Sequence, residues 1–349
     1  MRSTAVTLLL PFLTACQVLF PTPIDQHTET GNPAKAVRTV GATYNEGEFL
    51  EAQLSLDGVV AGKGSLRVGK RCIADGKLAI PVTSESGSSG LLSLLSDASA
   101  ETWGLIDLDT NAPLEGRWDI TNGDKRSLME MDYRSGGYRV HQIRYEPEKD
   151  PKHVRRRVEL PIEQVPHDAH SFLGYLRRWQ PADGERGYLY VTVGRGLYRA
   201  DMVFAGRDAI ATPQGSQEAF RIDGVATRIS DKTLQNVARG ERQFSLWISA
   251  DDRRAPLRIV IETDITKISV DLVKYSKEAV AGGDPAACEG RVDRAQLDKA
   301  KGKKKKQDPA QDPAVKDADE PEDADLTQKQ KEAIEKLRSR MLKLKADGD

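Results

Sequence analysis

From about residue 46 to residue 277 apolar side chains recur at alternate positions, in short runs broken by glycine. In "QFSLWIS", Phe244, Leu246 and Ile248 share one parity, while Gln243, Ser245, Trp247 and Ser249 share the other. "PLRIVIE" repeats the division, with Leu257, Ile259 and Ile261 against Arg258, Val260 and Glu262. A period of two places alternate side chains on opposite faces of a strand. A helical bundle cannot satisfy such a pattern, so the region is mainly β.

Three groups of runs define the expected strands. "EFLEAQLSLDG" meets "GKGSLRV" through a Val-Val-Ala-Gly turn. "GYLYVTVGRGLYRADMVFAGRDAIAT" reads as strand, Gly194-Arg195-Gly196 turn, strand, turn at Gly206, strand. "FSLWIS", "PLRIVIE" and "KISVDLVKY" form a closing meander. Two segments break the alternation, "SSGLLSLLSD" (88–97) and "DAHSFLGYLRRW" (168–179). In the second, Phe172, Tyr175, Leu176 and Trp179 fall at helical spacing, with Arg177 and Arg178 near the end. The predicted fold is a curved antiparallel sheet or open barrel carrying one or two short helices. About 230 residues suffice for one sizeable core.

The flanks have other compositions. The opening "MRSTAVTLLLPFLTACQ" places Arg2 before an apolar run from Ala5 to Leu13, too short to span a bilayer, which predicts a signal peptide over 1–15. Leu13-Thr14-Ala15-Cys16 fits a bacterial lipobox, so Cys16 is the expected lipidation site and the means of membrane attachment. Several acyl chains on one residue hold a membrane more firmly than a single chain does. Gln17 in place of an acid favours the outer membrane, by analogy with enterobacterial sorting. Residues 16–45 then read as a lipidated tether.

Export leaves Cys72 and Cys288 as an even pair in an oxidising compartment, a candidate disulfide. Residues 278–325 place the lysine block "KGKKKK" before an acidic, proline-bearing block, a composition that builds no core. The lysines could meet anionic headgroups or polymer, but the acidic block can neutralise them in the same chain, and export argues against nucleic acid. In 326–349, Ile334, Leu337, Met341 and Leu344 mark an amphipathic helix available to a protein partner.

Several stretches resemble a known group. "EGEFLEAQLSLDGVVAGKGSLRV" is similar to the Gly-Glu start, strand, Ala-Gly turn and strand that open the domain-of-unknown-function 3108 family. "DAHSFLGYLRRW" resembles its helix at Asp168, Ser171, Tyr175 and Arg177, with His170 standing where an apolar residue is usual. "GRDAIATPQGSQEAF" and "LWISADDRRAPLRI" complete the resemblance over about 46–277. It implies a β-rich envelope domain and brings no activity with it.

The residues themselves mark no catalytic group. Asp251 and Asp252 are adjacent, so an extended chain would point them to opposite faces, whereas a general acid and base must face one bond. With Arg253, Arg254 and Pro256 following, "ADDRRAP" reads as a hairpin corner. His167 and His170 have i, i+3 spacing and, with Asp168, could reach a metal, but no third ligand cluster accompanies them and no metal is expected. Asp168 ahead of Ser171 reads equally as a helix cap. There is no G-x-S-x-G, and "GRGLYR" and "GKGSLR" have arginine where a dinucleotide loop needs its third glycine, so no cofactor is expected. Trp247, on the polar parity of its strand, and Tyr175 form a candidate ligand face, although packing beneath the short helix is the stronger explanation of a large aromatic there. The expectation is an envelope lipoprotein acting as a non-enzymatic binding or assembly module for an apolar or glycan ligand or a protein partner. Its alternative is an envelope hydrolase whose acids, such as Asp168 with Asp251 or Asp252, are brought together by folding.

Overall fold

The computed structural model describes residues 35–36, 44–89, 97–134, 137–160, 165–213, 215–263, 266–277 and 288. The expected signal peptide, Cys16, most of the 88–97 segment, the lysine block and the terminal helix lie outside the described residues.

The described chain forms strands β1 (Lys35–Ala36), β2 (Glu48–Leu56), β3 (Val59–Val68), β4 (Cys72–Ala74), β5 (Lys77–Ser88), β6 (Ala98–Asp107), β7 (Pro113–Asn122), β8 (Lys125–Arg134), β9 (Gly137–Tyr145) and β10 (Lys152–Glu159). Helix α1 (Ala169–Arg178) follows, then β11 (Arg186–Val193), β12 (Gly196–Thr212), β13 (Gly215–Ile229), β14 (Asn236–Ser249), β15 (Pro256–Glu262) and β16 (Lys267–Lys277). All belong to one sheet, in the order β1-β11-β12-β13-β14-β15-β16-β2-β3-β5-β6-β7-β8-β9-β10, with β4 on β5. Pairing is antiparallel throughout, except that β1 runs parallel to β11. The two meanders that α1 connects in sequence are therefore sewn together by the β16–β2 ladder.

The sheet curls without closing by backbone pairing. Its two ends meet through side chains instead. Trp118, Met131, Tyr133 and Val140 from one arm share a core with Val191, Val193, Leu197 and Ile229 from the other. Tyr133 Oη lies 2.5 Å from Thr192 Oγ1. Arg156 on β10 donates to the Arg195 carbonyl at 3.2 Å and pairs with Asp231. The edge strand β10 is largely exposed and carries Arg155, Arg156 and Arg157, charges that discourage pairing with another chain.

Two predicted turns differ from the structure. The first hairpin turns at Asp57-Gly58, with φ of 48° and 83°, and Val-Val-Ala-Gly lies inside β3. Asp-Gly supplies the two positive φ angles that a tight two-residue hairpin requires, and that signal outweighs the glycine further on. Gly206 turns no corner. With φ of 96° it absorbs a register shift between Phe204 and Gly206, so β12 continues as one bulged strand. The domain also begins before residue 46: Tyr44 is 1 % exposed, and Lys35 and Ala36 pair with Gly187 and Tyr188.

Helix α1 crosses the concave side of the sheet. Asp168 caps it in a capping box with Ser171, and Arg177 and Arg178 complement the negative pole of its last turn. Ala169, His170, Ser171, Leu173, Gly174, Leu176 and Arg177 are all buried. A free-standing amphipathic helix would bury one stripe; this one is enclosed because the sheet bends round it.

Candidate functional site

At the C-terminal end of α1, Arg177 donates to both Glu48 oxygens, Nη1 to Oε2 at 2.8 Å and Nη2 to Oε1 at 2.9 Å. Two further donors reach backbone, Nε to the Arg254 carbonyl at 2.8 Å and Nη2 to the Arg253 carbonyl at 2.9 Å. Asn45 and Tyr275 donate to Glu48 Oε1, and the guanidinium lies 4.9 Å from the Tyr44 ring centroid. Burial alone would raise the Glu48 carboxyl, but the hydrogen bonds and charge of Arg177 outweigh it and hold the carboxyl below its usual range. Burial likewise opposes the charge on Arg177, and Glu48 more than restores it. Both groups stay ionised.

The Asp-Asp-Arg-Arg stretch takes its place in this arrangement. It joins β14 to β15 as an antiparallel corner, as the sequence predicts. Asp251 accepts from Ser249 Oγ at 2.7 Å and from Arg253 Nε at 2.7 Å, and these bonds offset burial and keep its carboxyl low. Arg254 sits at φ of 50°, which turns its carbonyl toward Arg177. The corner presents backbone acceptors inward; its two acids are spent locally or exposed.

At the other end of α1, Asp168 Oδ1 accepts from the Ser171 amide and hydroxyl, both at 2.7 Å. His170 Nε2 lies 2.7 Å from Ser84 Oγ and 3.3 Å from Thr102 Oγ1, and its carbonyl accepts from Tyr44 Oη at 2.8 Å. The polar partners on β5 and β6 explain how a histidine occupies the position where the family resemblance leads one to expect an apolar residue. Gly104 and Gly116 make room for this corner: a Cβ on Gly104 would lie 2.9 Å from both Asp168 Oδ2 and His170 Nδ1. His167 turns elsewhere. Its ring packs on Tyr175 at 4.6 Å, and burial lowers its proton affinity to a pKa of about 4. His167 and His170 thus serve different neighbours, and among the described residues no group of three or more His, Cys, Asp or Glu converges for a metal.

A serine hydroxyl on an imidazole nitrogen is the contact a nucleophile and its base would make. Here, however, Ser84 and His170 are 6 % and 3 % exposed, closed in between β5 and α1. Asp168 and Asp251 do not meet. Asp168 caps the first turn of α1, whereas the hairpin corner binds its last turn, roughly 13 Å further along at 1.5 Å per residue.

Trp247 and Tyr175 are separated as well. Phe244, on the same side of β14 as Leu246 and Ile248, packs against Phe172 of α1 at 6.2 Å, so that parity faces the helix. Trp247 has the opposite parity and stands on the outer face, while Tyr175 lies within. The two do not form a single ligand face. Trp247 Nε1 donates to Asp208 at 3.3 Å, and Arg221 lies 5.3 Å from its ring. Beside it, a cleft of about 700 Å³ is lined by Arg186, Asp201, Arg221, Asp223, Gln243 and Ser245 among others. Ser245 Oγ and Arg221 Nε both donate to Asp223 Oδ1, at 2.6 and 3.0 Å. A smaller depression of about 520 Å³ borders the hairpin corner.

Cys72 and Cys288 are joined as a disulfide, set against Ala74, Ala79 and Leu105. Sequence reasoning missed the Arg177–Glu48 pair and the Ser84–His170 contact. Their partners lie 129 and 86 residues apart, and no local pattern couples them.

An open antiparallel sheet curled about one buried helix, held by a polar contact at each helix end, defines the class of this protein. The family model for proteins of unknown function called DUF3108 matches residues 48–273, and the chain belongs to that family. Among solved structures it is similar to a β-barrel-like protein of domain of unknown function DUF1849 from Brucella abortus, at 10% identity and a TM-score of 0.38, covering 65% of this chain and 96% of that one. It is also similar to a protein from Bacteroides fragilis described as exported and YmcC-like in fold (10% identity, TM-score 0.30, covering 69% of this chain and 100% of that one). A third, described as a lipoprotein from Parabacteroides distasonis, has 9% identity and a TM-score of 0.28, covering 68% of this chain and 100% of that one. Nothing among curated proteins matches the chain.

Proposed function

We propose that the chain is a cell-envelope lipoprotein, held through Cys16 and facing the periplasm, whose β domain is a non-enzymatic binding or assembly module for a polar, glycan-like ligand. The observation that carries this reading is the division of the two faces. The inner side carries α1, while a cleft of about 700 Å³ lined by Asp201, Arg221, Asp223, Gln243 and Ser245, together with Met202, Val203, Val225 and Phe244, adjoins Trp247 through Arg221. A sugar asks for convergent hydrogen-bonding groups near an aromatic ring; Asp201, Asp223 and Gln243 line the cleft, and Trp247 borders it through Arg221. A hydrolase reading loses support from the distance between Asp168 and the Asp251 corner.

Titration of the full chain with soluble peptidoglycan fragments and with phospholipid vesicles, followed by tryptophan fluorescence, tests the binding. A saturable response to the glycan fragments that disappears in Trp247→Phe is expected. A response to vesicles alone, or to neither, would overturn it. Palmitate labelling that persists in Cys16→Ser would overturn the anchor.

A further inference from the structure

On the outer face of the opposite arm, His141 of β9 and His153 of β10 stand as diagonal neighbours. His141 is registered with Arg155, and His153 with Ile143. Their rings lie 5.6 Å apart at an interplanar angle of 22°. His141 Nε2 and His153 Nδ1 are 3.3 Å apart, and the other nitrogen of His141, Nδ1, lies 3.7 Å from Glu130 Oε2 on β8.

We infer that His141 and His153 form a binding site for a first-row divalent cation of imidazole preference, Cu²⁺ ahead of Zn²⁺. Three observations carry this. First, the two nitrogens are 3.3 Å apart, close enough to share one ion: metal–nitrogen bonds of about 2.0–2.1 Å set them about 3.3 Å apart at a tetrahedral angle, and a small rotation of the two surface rings brings them to the roughly 2.8 Å of a tetragonal Cu²⁺ site. A hydrogen bond between the rings would prefer a shorter approach. Second, a ligating histidine characteristically turns its other nitrogen to a carboxylate, which fixes the tautomer, and Glu130 occupies that position. Third, both rings are on the surface, so water can complete the coordination of an ion held by two side chains. Two ligands give an exchangeable site. The ion would clip the edge strand β10 to β9, where the sheet is otherwise protected only by charge. The order of affinity follows the general preference of nitrogen sites for copper over zinc.

The test uses the full chain purified without a polyhistidine tag. Calorimetric titration with Cu²⁺ and with Zn²⁺ is expected to give one site at the sheet edge, tighter for Cu²⁺, and the Cu²⁺ electron paramagnetic resonance spectrum should show two imidazole nitrogens. His141→Ala and His153→Ala should each weaken that site at least tenfold and remove the two-nitrogen signature, while Glu130→Gln should weaken it about tenfold. Both histidines are on the surface, so the variants should retain the wild-type circular dichroism. The proposal is overturned if His141→Ala/His153→Ala binds Cu²⁺ as the wild type does, or if the wild type lacks the two-nitrogen signature. An unchanged affinity in Glu130→Gln would remove the carboxylate from it.

Discussion

Arg177 and Glu48, 129 residues apart in sequence, meet through two parallel hydrogen bonds with 1 % and 0 % of their side chains exposed. A buried ion pair of this kind adds little over well-packed apolar side chains, yet removing one partner strands the other in a poor solvent. Arg177→Met is therefore expected to lower unfolding free energy by about 3–5 kcal/mol. Glu48→Leu should behave similarly, and the double variant should lose much less than the two summed. Urea denaturation of the four proteins measures the coupling; additive losses would mean that the pair is not a unit.

Gly104 is the close approach that seats the first turn of α1. A methyl there would meet Asp168 Oδ2 and His170 Nδ1 at 2.9 Å, both held by hydrogen bonds or packing. Gly104→Ala should cost about 1–3 kcal/mol, the usual range for overpacking a filled core. Gly87 on β5 is the control, since its added Cβ finds only the Ala98 carbonyl, at 3.7 Å. Gly87→Ala should be neutral or slightly stabilising. Thermal unfolding of the two variants separates a steric role for Gly104 from a general need for glycine in this arm.

The sequence carried the strands and the helix because both are local. Alternation in "FSLWIS" and the Asp168–Ser171 cap act within a few residues, and the structure keeps both. Gly206 misled because a glycine with positive φ serves a turn or a bulge equally well, and only the partner strand decides between them. Strand parity tells which side of the sheet Trp247 takes but not which side the helix covers, so it does not separate Trp247 from Tyr175 of α1. The contact of Phe172 with Phe244 supplies that missing fact. Glu48 and Arg177 carry no signal of each other, because the β16–β2 ladder that brings Glu48 beneath the helix is itself long-range.

The Cys72–Cys288 bridge spans 216 residues and thus constrains nearly the whole domain when it unfolds. Chain entropy gives a ceiling of about 5 kcal/mol for a loop of this length. Cys72→Ser/Cys288→Ser should lower the urea midpoint accordingly. It should also steepen the urea dependence, because an uncrosslinked denatured chain exposes more surface. The same shift should follow reduction of the wild type. A variant with the wild-type midpoint would show that the bridge does not contribute to stability.

Acid should destabilise the domain in two stages, beginning with His167. Burial lowers its pKa from the usual 6.5 to about 4, and His170 is lowered in the same direction. The sign follows from proton binding. Between pH 6.5 and 4 the unfolded imidazole binds a proton that the folded one refuses, so the unfolded state gains as pH falls. The stabilisation is complete above 6.5, is lost progressively down to about 4, and changes no further below that. At about 1.4 kcal/mol per pH unit, His167 alone accounts for roughly 3 kcal/mol. Glu48 acts next. Its carboxyl is held low by Arg177 in the fold, so its share persists above the usual carboxylate range and disappears only below it. Urea midpoints at pH 7.5, 5.5 and 4.5 should fall in that order for the wild type. His167→Phe, which keeps a ring against Tyr175 and carries no proton, should remove about half a proton from the slope between pH 7.5 and 5.5 and most of one proton between 5.5 and 4.5. An unchanged slope would assign the acid sensitivity elsewhere, with His170 against Ser84 the first candidate.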